Sequence, residues 1–186
     1  MSEPADARLL AEQQRYYRAR APEYDDWWFR RGRYALAAEA EAAWFTDVAE
    51  LEAELQRFGP NGDVLELAAG TGNWTKQLLR YADRLTAVDA APEVLELNRV
   101  KVGGSVDYVL ADAFAWEPPR AFDVCFFAFW LSHVPRSRLA RFWELVGRYP
   151  RSERARGYLE GVAAAAHLDR SGDEEAPGAE VDPGTE

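Results

Sequence analysis

DVLELAAGTGNW, residues 63–74, starts as a strand and finishes as the first turn of a helix. Val64, Leu65 and Leu67 make a short apolar run, which Ala69-Gly70-Thr71-Gly72 then replaces with small side chains. The TKQLLRYA that follows Trp74 reads as helix. A strand that breaks into glycines just before a helix lets a ligand come close to backbone N–H groups.

Working outward, the same rhythm repeats. RLTAVDA (84–90), VDYVLA (106–111) and FDVCFFAF (122–129) read as strands, and PEVLELNRV (92–100) and SRLARFWELVGRY (137–149) as helices. Strands alternating with helices of this length predict βαβ units, an α/β fold with a parallel sheet covered on both faces. Upstream, DARLLAEQQRYYRAR places Leu9, Leu10, Tyr16 and Tyr17 on roughly one helical face. A longer helix is expected from about Tyr34 to Phe58, where Trp44, Val48, Leu51, Leu55 and Phe58 recur at spacings of 4, 3, 4 and 3. GPNG at 59–62 stops it.

Composition narrows the function. The 186 residues suffice for one domain with a real core, and 48% are hydrophobic. The net charge of −10 argues against a nucleic-acid partner, which needs a basic face. Seven of the acids sit in the last stretch, DRSGDEEAPGAEVDPGTE, which reads as a disordered tail. Cys125 has no partner for a disulfide and lies in an apolar run, as a buried structural thiol does. No apolar run is long enough for a bilayer, and the N-terminus is too polar for a secretion signal, so the expectation is a soluble cytoplasmic protein without a membrane partner. Neither histidine has companions at metal-ligand spacing, so no metal is expected.

Each expected strand delivers a polar group at its carboxyl end, where ligands bind in such sheets. Glu66 precedes the glycines, Asp89 lies 17 residues after Gly72, Asp112-Ala113-Phe114 follows the third strand, and AFWLSHVP follows the fourth. An acid after the second strand can accept both hydroxyls of a ribose, and one after the third can meet an adenine amine. Together they describe an adenosine-shaped site, although each acid alone also suits a helix cap or a turn. A dinucleotide fingerprint wants a third glycine where Thr75 stands. Glu66, in turn, suits a ligand with an amino group better than a pyrophosphate.

With ELAAGTG, Asp89 after the second strand and ADAF after the third, the chain resembles the class I S-adenosylmethionine-dependent methyltransferases. FAFWLSHVP and RYYRARAPEYDDWW resemble the fourth-strand motif and the helical lid of their small-molecule branch. The resemblance implies a Rossmann-like sheet in the order 3-2-1-4, S-adenosylmethionine as cofactor and a small-molecule acceptor. It implies that Gly70 and Gly72 pass under the methionine part, Glu66 anchors its amino group and Asp89 holds the ribose. Asp112 and Ala113 address the adenine, Ala128 and Phe129 offer backbone near the amino group, and Tyr17, with Tyr24 beside it, closes the lid. His133 is the candidate base if the acceptor needs one. The implied organisation is a lid over 1–58, a cofactor-binding core over 59–149, a helix over 150–168 and the acidic tail over 169–186.

The family's further strands find no counterpart after residue 150, so the expectation is a sheet that stops at its fourth strand. That apolar edge then needs a cover, from the 152–168 helix or from a second copy. A rival reading is a non-catalytic cofactor-binding or interaction protein. Arg30, Arg31 and Arg33 could meet an anionic acceptor or simply form a solvated face.

Overall fold

The computed structural model describes residues 15, 19–131 and 134–149. A short helix α1 (Tyr24–Trp28) lies between two 3-10 turns, Ala21–Glu23 and Gly32–Tyr34. The long helix α2 spans Ala38–Phe58. It starts later than the apolar spacing suggests, because Arg20, Arg33 and Glu23 all hold the Tyr34 hydroxyl and keep residues 32–34 in their own turn. Gly59 ends α2 in the left-handed region (φ +59°), its N–H donating to Leu55 O.

From Asp63 the chain alternates as expected: β1 (Asp63–Leu67), α3 (Asn73–Leu78), β2 (Arg84–Asp89), α4 (Pro92–Val102), β3 (Val106–Leu110), β4 (Val124–Phe126) and α5 (Arg136–Arg148). The sheet is parallel in the order β3-β2-β1-β4. This is an α/β, Rossmann-like arrangement.

Strand alternation sorts the core into two layers. Leu65, Leu67, Val88 and Cys125 face α5, where Phe142 sits 4.9 Å from the Trp130 ring and 5.1 Å from Phe127. Val64, Leu85, Val124 and Phe126 face the other way, onto Val48 and Leu55 of α2 and Leu78 of α3. Glu66 shares this second face by its position between Leu65 and Leu67, so a carboxyl sits at the bottom of an otherwise apolar layer. Cys125 is buried, and burial pushes its thiol pKa well up, as a packing residue requires.

The fourth strand is shorter than its apolar run. Only Val124–Phe126 pair with β1, and Phe129 turns the chain at φ +54°. The Phe129 ring then packs 5.3 Å from Trp28, so these aromatics build contact with α1 instead of more sheet. Among the described residues β4 pairs with β1 alone. The helix expected over 152–168 and the acidic tail lie outside the described residues. No helix among those described is long and apolar enough to cross a membrane.

Candidate functional site

The turn after β1 runs through three positive φ angles, Ala68 (+52°), Gly70 (+58°) and Gly72 (+95°). Gly72 is required twice over. A Cβ there would lie 2.6 Å from Asn98 Oδ1 and 2.9 Å from Val102 Cγ2, so the turn sits directly on α4. Ala68 adopts a left-handed backbone without being glycine, a strained choice beside the site. Ala68→Gly is expected to leave unfolding stability unchanged or raise it by up to about 1 kcal/mol, relief of strain being set against glycine's larger chain entropy. Ala87→Gly, on buried β2, should lose about 1–2 kcal/mol in the same urea titration. Equal losses at both positions would remove the argument for strain.

Two of the expected acids meet at this turn. Asp89 ends β2, and its carboxylate accepts the Gly70 N–H at 3.0 Å and the Ala91 N–H at 2.9 Å. Burial raises its pKa, opposed by the N–H groups of Ala91, Gly70 and Ala90. Glu66 is 2% exposed, and burial pushes its pKa up to about 8, against the Thr75 hydroxyl, which bonds it, and with a further push from Asp89. The third acid is placed differently. Asp112 follows β3 at the same end of the sheet, but its Oδ1 accepts the Phe114 N–H at 2.9 Å, shaping the turn that buries Ala113 and Phe114.

A polar scaffold supports the turn from α4. Asn98, fully buried, donates to Gly70 O at 3.1 Å and to Thr75 Oγ1 at 2.7 Å, and its own Oδ1 accepts from Tyr108 at 3.0 Å. One relay thus joins β3, α4, the glycine turn and Glu66. One turn further along α4, Lys101 Nζ donates to Asp25 Oδ1 (2.5 Å), Asn73 Oδ1 (2.9 Å) and Thr71 Oγ1 (3.1 Å). Thr71 Oγ1 also donates to Asp25 at 2.7 Å, so α1 is bolted onto the glycine turn. Burial lowers the Lys101 pKa, against the pull of Asp25.

Between α1 and the turn lies a small cavity lined by Tyr24, Trp28, Glu66, Ala68–Thr71, Asn73, Trp74 and Ala128. Three buried polar atoms of its lining have no hydrogen-bond partner among the described residues: Glu66 Oε2, Asn73 Nδ2 and Trp74 Nε1. One acceptor and two donors left bare on one cavity make it the candidate binding site. A ligand with an amino group fits Glu66, and Asp89, the acid expected to hold a ribose, stands one strand away on β2.

The structure therefore gathers Glu66, Gly70, Gly72, Asp89 and Ala128 at one place. Phe129 stands behind them, 6.4 Å from the Trp74 ring. Tyr24 lines the cavity, whereas Tyr17 and His133 lie outside the described residues. The three arginines are engaged within α1 and its surroundings. Arg30 stacks 3.6 Å over Trp44, Arg31 packs 4.6 Å over Phe29, and Arg33 bonds Glu23 and Tyr34. Asp25, Trp28, Trp74, Asn98 and Lys101 join the site without a role expected from the sequence. A signal existed for Asn98, a polar residue four positions after Val94 on the buried face of α4. None existed for the Asp25–Lys101 pair, which are 76 residues apart.

Comparison with known proteins finds relatives of the same fold. Residues 64–151 match the family model described as a methyltransferase domain. In solved structures, DhpI in its complex with SAH is 38% identical, with 76% of this chain and 64% of DhpI covered at a TM-score of 0.61. DhpI in complex with SAM and HEP aligns equally well, over 77% and 62%. The ribosomal RNA large subunit methyltransferase M of Marinobacter nauticus is 37% identical over 87 residues, which are 47% of this chain and 23% of that protein. The chain thus spans about a quarter of the length of the curated relatives it matches and under two thirds of DhpI. The α/β, Rossmann-like fold is shared with these methyltransferase structures, and the match over 64–151 includes the glycine turn and the strand-end acids.

Proposed function

We propose that the chain is an S-adenosylmethionine-dependent methyltransferase acting on a small-molecule acceptor. The observation that carries this is Glu66: a buried carboxyl with one bare oxygen, facing a cavity closed by α1 and floored by the glycine turn. A nucleotide pyrophosphate would meet a repelling acid there, whereas an α-ammonium finds its counter-charge. In this reading Glu66 takes the amino group and Asp89 the ribose hydroxyls, while Asp112 and Ala113 border the adenine. Gly70 and Gly72 let the backbone come close, and the tryptophans of α1 and α3 keep water out.

S-adenosylmethionine supplies a methyl group on a sulfonium sulfur. For that chemistry the protein mainly has to align the acceptor in line with the methyl and sulfur and exclude water. Where the acceptor needs a base, His133 is the candidate to take its proton.

Support for a small acceptor comes from the lid and from charge. Tyr24 and Trp28 enclose the cavity mouth, and residues 1–149 carry 23 acidic against 18 basic side chains, a poor surface for polyanion binding. The likeness to DhpI, solved with SAM and HEP together, also reaches over three quarters of this chain, against half or less for the ribosomal RNA methyltransferase relatives. Those relatives keep ribosomal RNA as the rival acceptor.

Calorimetry is expected to give micromolar binding of S-adenosylhomocysteine and none of NAD. Methyl-labelled cofactor should then label members of a small-molecule panel and leave ribosomal RNA unlabelled. Label in RNA would overturn the acceptor class. Binding without transfer to anything would favour a non-catalytic cofactor-binding protein, and no binding by folded protein would end the cofactor reading.

A further inference from the structure

Lys101 closes α4, and its ammonium spends its three hydrogens on three different segments: Asp25 of α1, Thr71 of the glycine turn and Asn73 at the start of α3. An ammonium has no lone pair and only donates. Asn73 must therefore offer its carbonyl oxygen to Lys101, and the amide cannot be flipped without setting an NH2 against an NH3⁺. Asn73 Nδ2 is thereby left as a donor without a partner among the described residues. The next residue, Trp74, is 9% exposed, and its Nε1 likewise lacks a partner. Both residues line the cavity that holds the bare Glu66 oxygen.

Two N–H donors match the two oxygens of a carboxylate, and the neighbouring acid matches an ammonium. A ligand end bearing an ammonium and a carboxylate on one carbon is an α-amino acid. We propose that Lys101 is a positioning residue that sets the Asn73 amide, so that Asn73 Nδ2 and Trp74 Nε1 together receive the carboxylate of an α-amino-acid end whose ammonium goes to Glu66. This rests on the cofactor reading above and assigns the carboxylate to the cofactor, not to the acceptor. By holding Asp25 at the same time, Lys101 also makes lid closure and carboxylate recognition depend on one side chain.

Calorimetry compares two ligands on the full chain. S-adenosylhomocysteine carries the amino-acid end, whereas 5′-methylthioadenosine keeps the adenosine and thioether without it. Trp74→Phe retains the ring and loses the donor; it should weaken S-adenosylhomocysteine about 10-fold and leave methylthioadenosine within about twofold. Asn73→Asp keeps the acceptor for Lys101 but puts a charge where Nδ2 was, and it should discriminate in the same direction more strongly. It serves as the independent variant if Trp74→Phe unfolds. Lys101→Met should reproduce the selective loss, and Lys101→Arg should recover part of it. Equal weakening of both ligands, or no weakening in Trp74→Phe and Asn73→Asp, would overturn the proposal. So would intact S-adenosylhomocysteine affinity with reduced acceptor affinity, which would place the carboxylate on the acceptor. A parent protein that binds neither ligand instead overturns the cofactor reading itself.

Discussion

Glu66→Gln is expected to make the unliganded protein more stable than the parent at pH 9, by about 3–5 kcal/mol, and to weaken S-adenosylhomocysteine by at least about 100-fold. Both effects come from one buried carboxyl. Burial lifts its folded-state pKa from 4.5 to about 8. Between those values the folded protein keeps a proton that the unfolded chain has released. Stability therefore falls as pH rises through this window, by up to about 1.4 kcal/mol per pH unit, and levels off above pH 8.

Glutamine keeps the carbonyl that accepts from Thr75 and has no charge to bury, so the decline should vanish. The ligand reverses the balance. A bound ammonium favours the ionised acid, so parental affinity should rise with pH up to about 8, with proton release on binding below it. Urea titrations at pH 5 and pH 9, with calorimetry in two buffers of different ionisation enthalpy, read both effects. Equal loss of stability by parent and variant between these pH values would show that Glu66 is not the group responsible.

Asp89→Ala should fail in the opposite sense, losing about 2–4 kcal/mol of stability and about 100- to 1000-fold in cofactor affinity. Asp89 is also buried, but its oxygens already accept the Gly70 and Ala91 N–H groups. Alanine leaves both donors without a partner and leaves the glycine turn tied to β2 by the Ala69 N–H to Val88 O bond alone, besides removing the proposed ribose contact. Asp89→Asn keeps an acceptor and should recover part of the stability but little of the affinity. Thermal unfolding and calorimetry on the two variants separate these roles. A variant Asp89→Ala with parental stability would mean that Asn98 and the Ala69 N–H to Val88 O bond suffice to hold the turn. The contrast between the acids is physical. Asp89 is held by backbone donors before any ligand arrives, whereas Glu66 keeps one oxygen in reserve.

This reserve also explains why the site is built under a scaffold of neutral donors. Asn98 fixes Gly70 and Thr75 without adding charge to a layer that already holds two carboxyls. Lys101, the nearby cation, is turned outward onto Asp25 and the oxygens of Thr71 and Asn73. A cation bonded directly to Glu66 would have satisfied it and competed with an ammonium ligand.

The sequence by itself determined what depends on neighbours along the chain. Alternating apolar runs and helical spacings decide the strands and helices, because period 2 and period 3.6 are local geometry. Gly70 and Gly72 mark a turn of left-handed backbone, and Glu66 and Asp89 mark the carboxyl ends of β1 and β2. These features sufficed for the parallel order and for bringing Glu66, Asp89 and the glycines to one end of the sheet.

Only the tertiary structure decided what depends on packing. Phe129 leaves the fourth strand to meet Trp28. Asp112 serves its own turn through the Phe114 N–H. Lys101 reaches across 76 residues to Asp25, and this fixes which face of Asn73 meets a ligand. Such contacts leave no periodic trace, because the sheet, and not the spacing along the chain, brings α1 and the end of α4 to the same glycine turn.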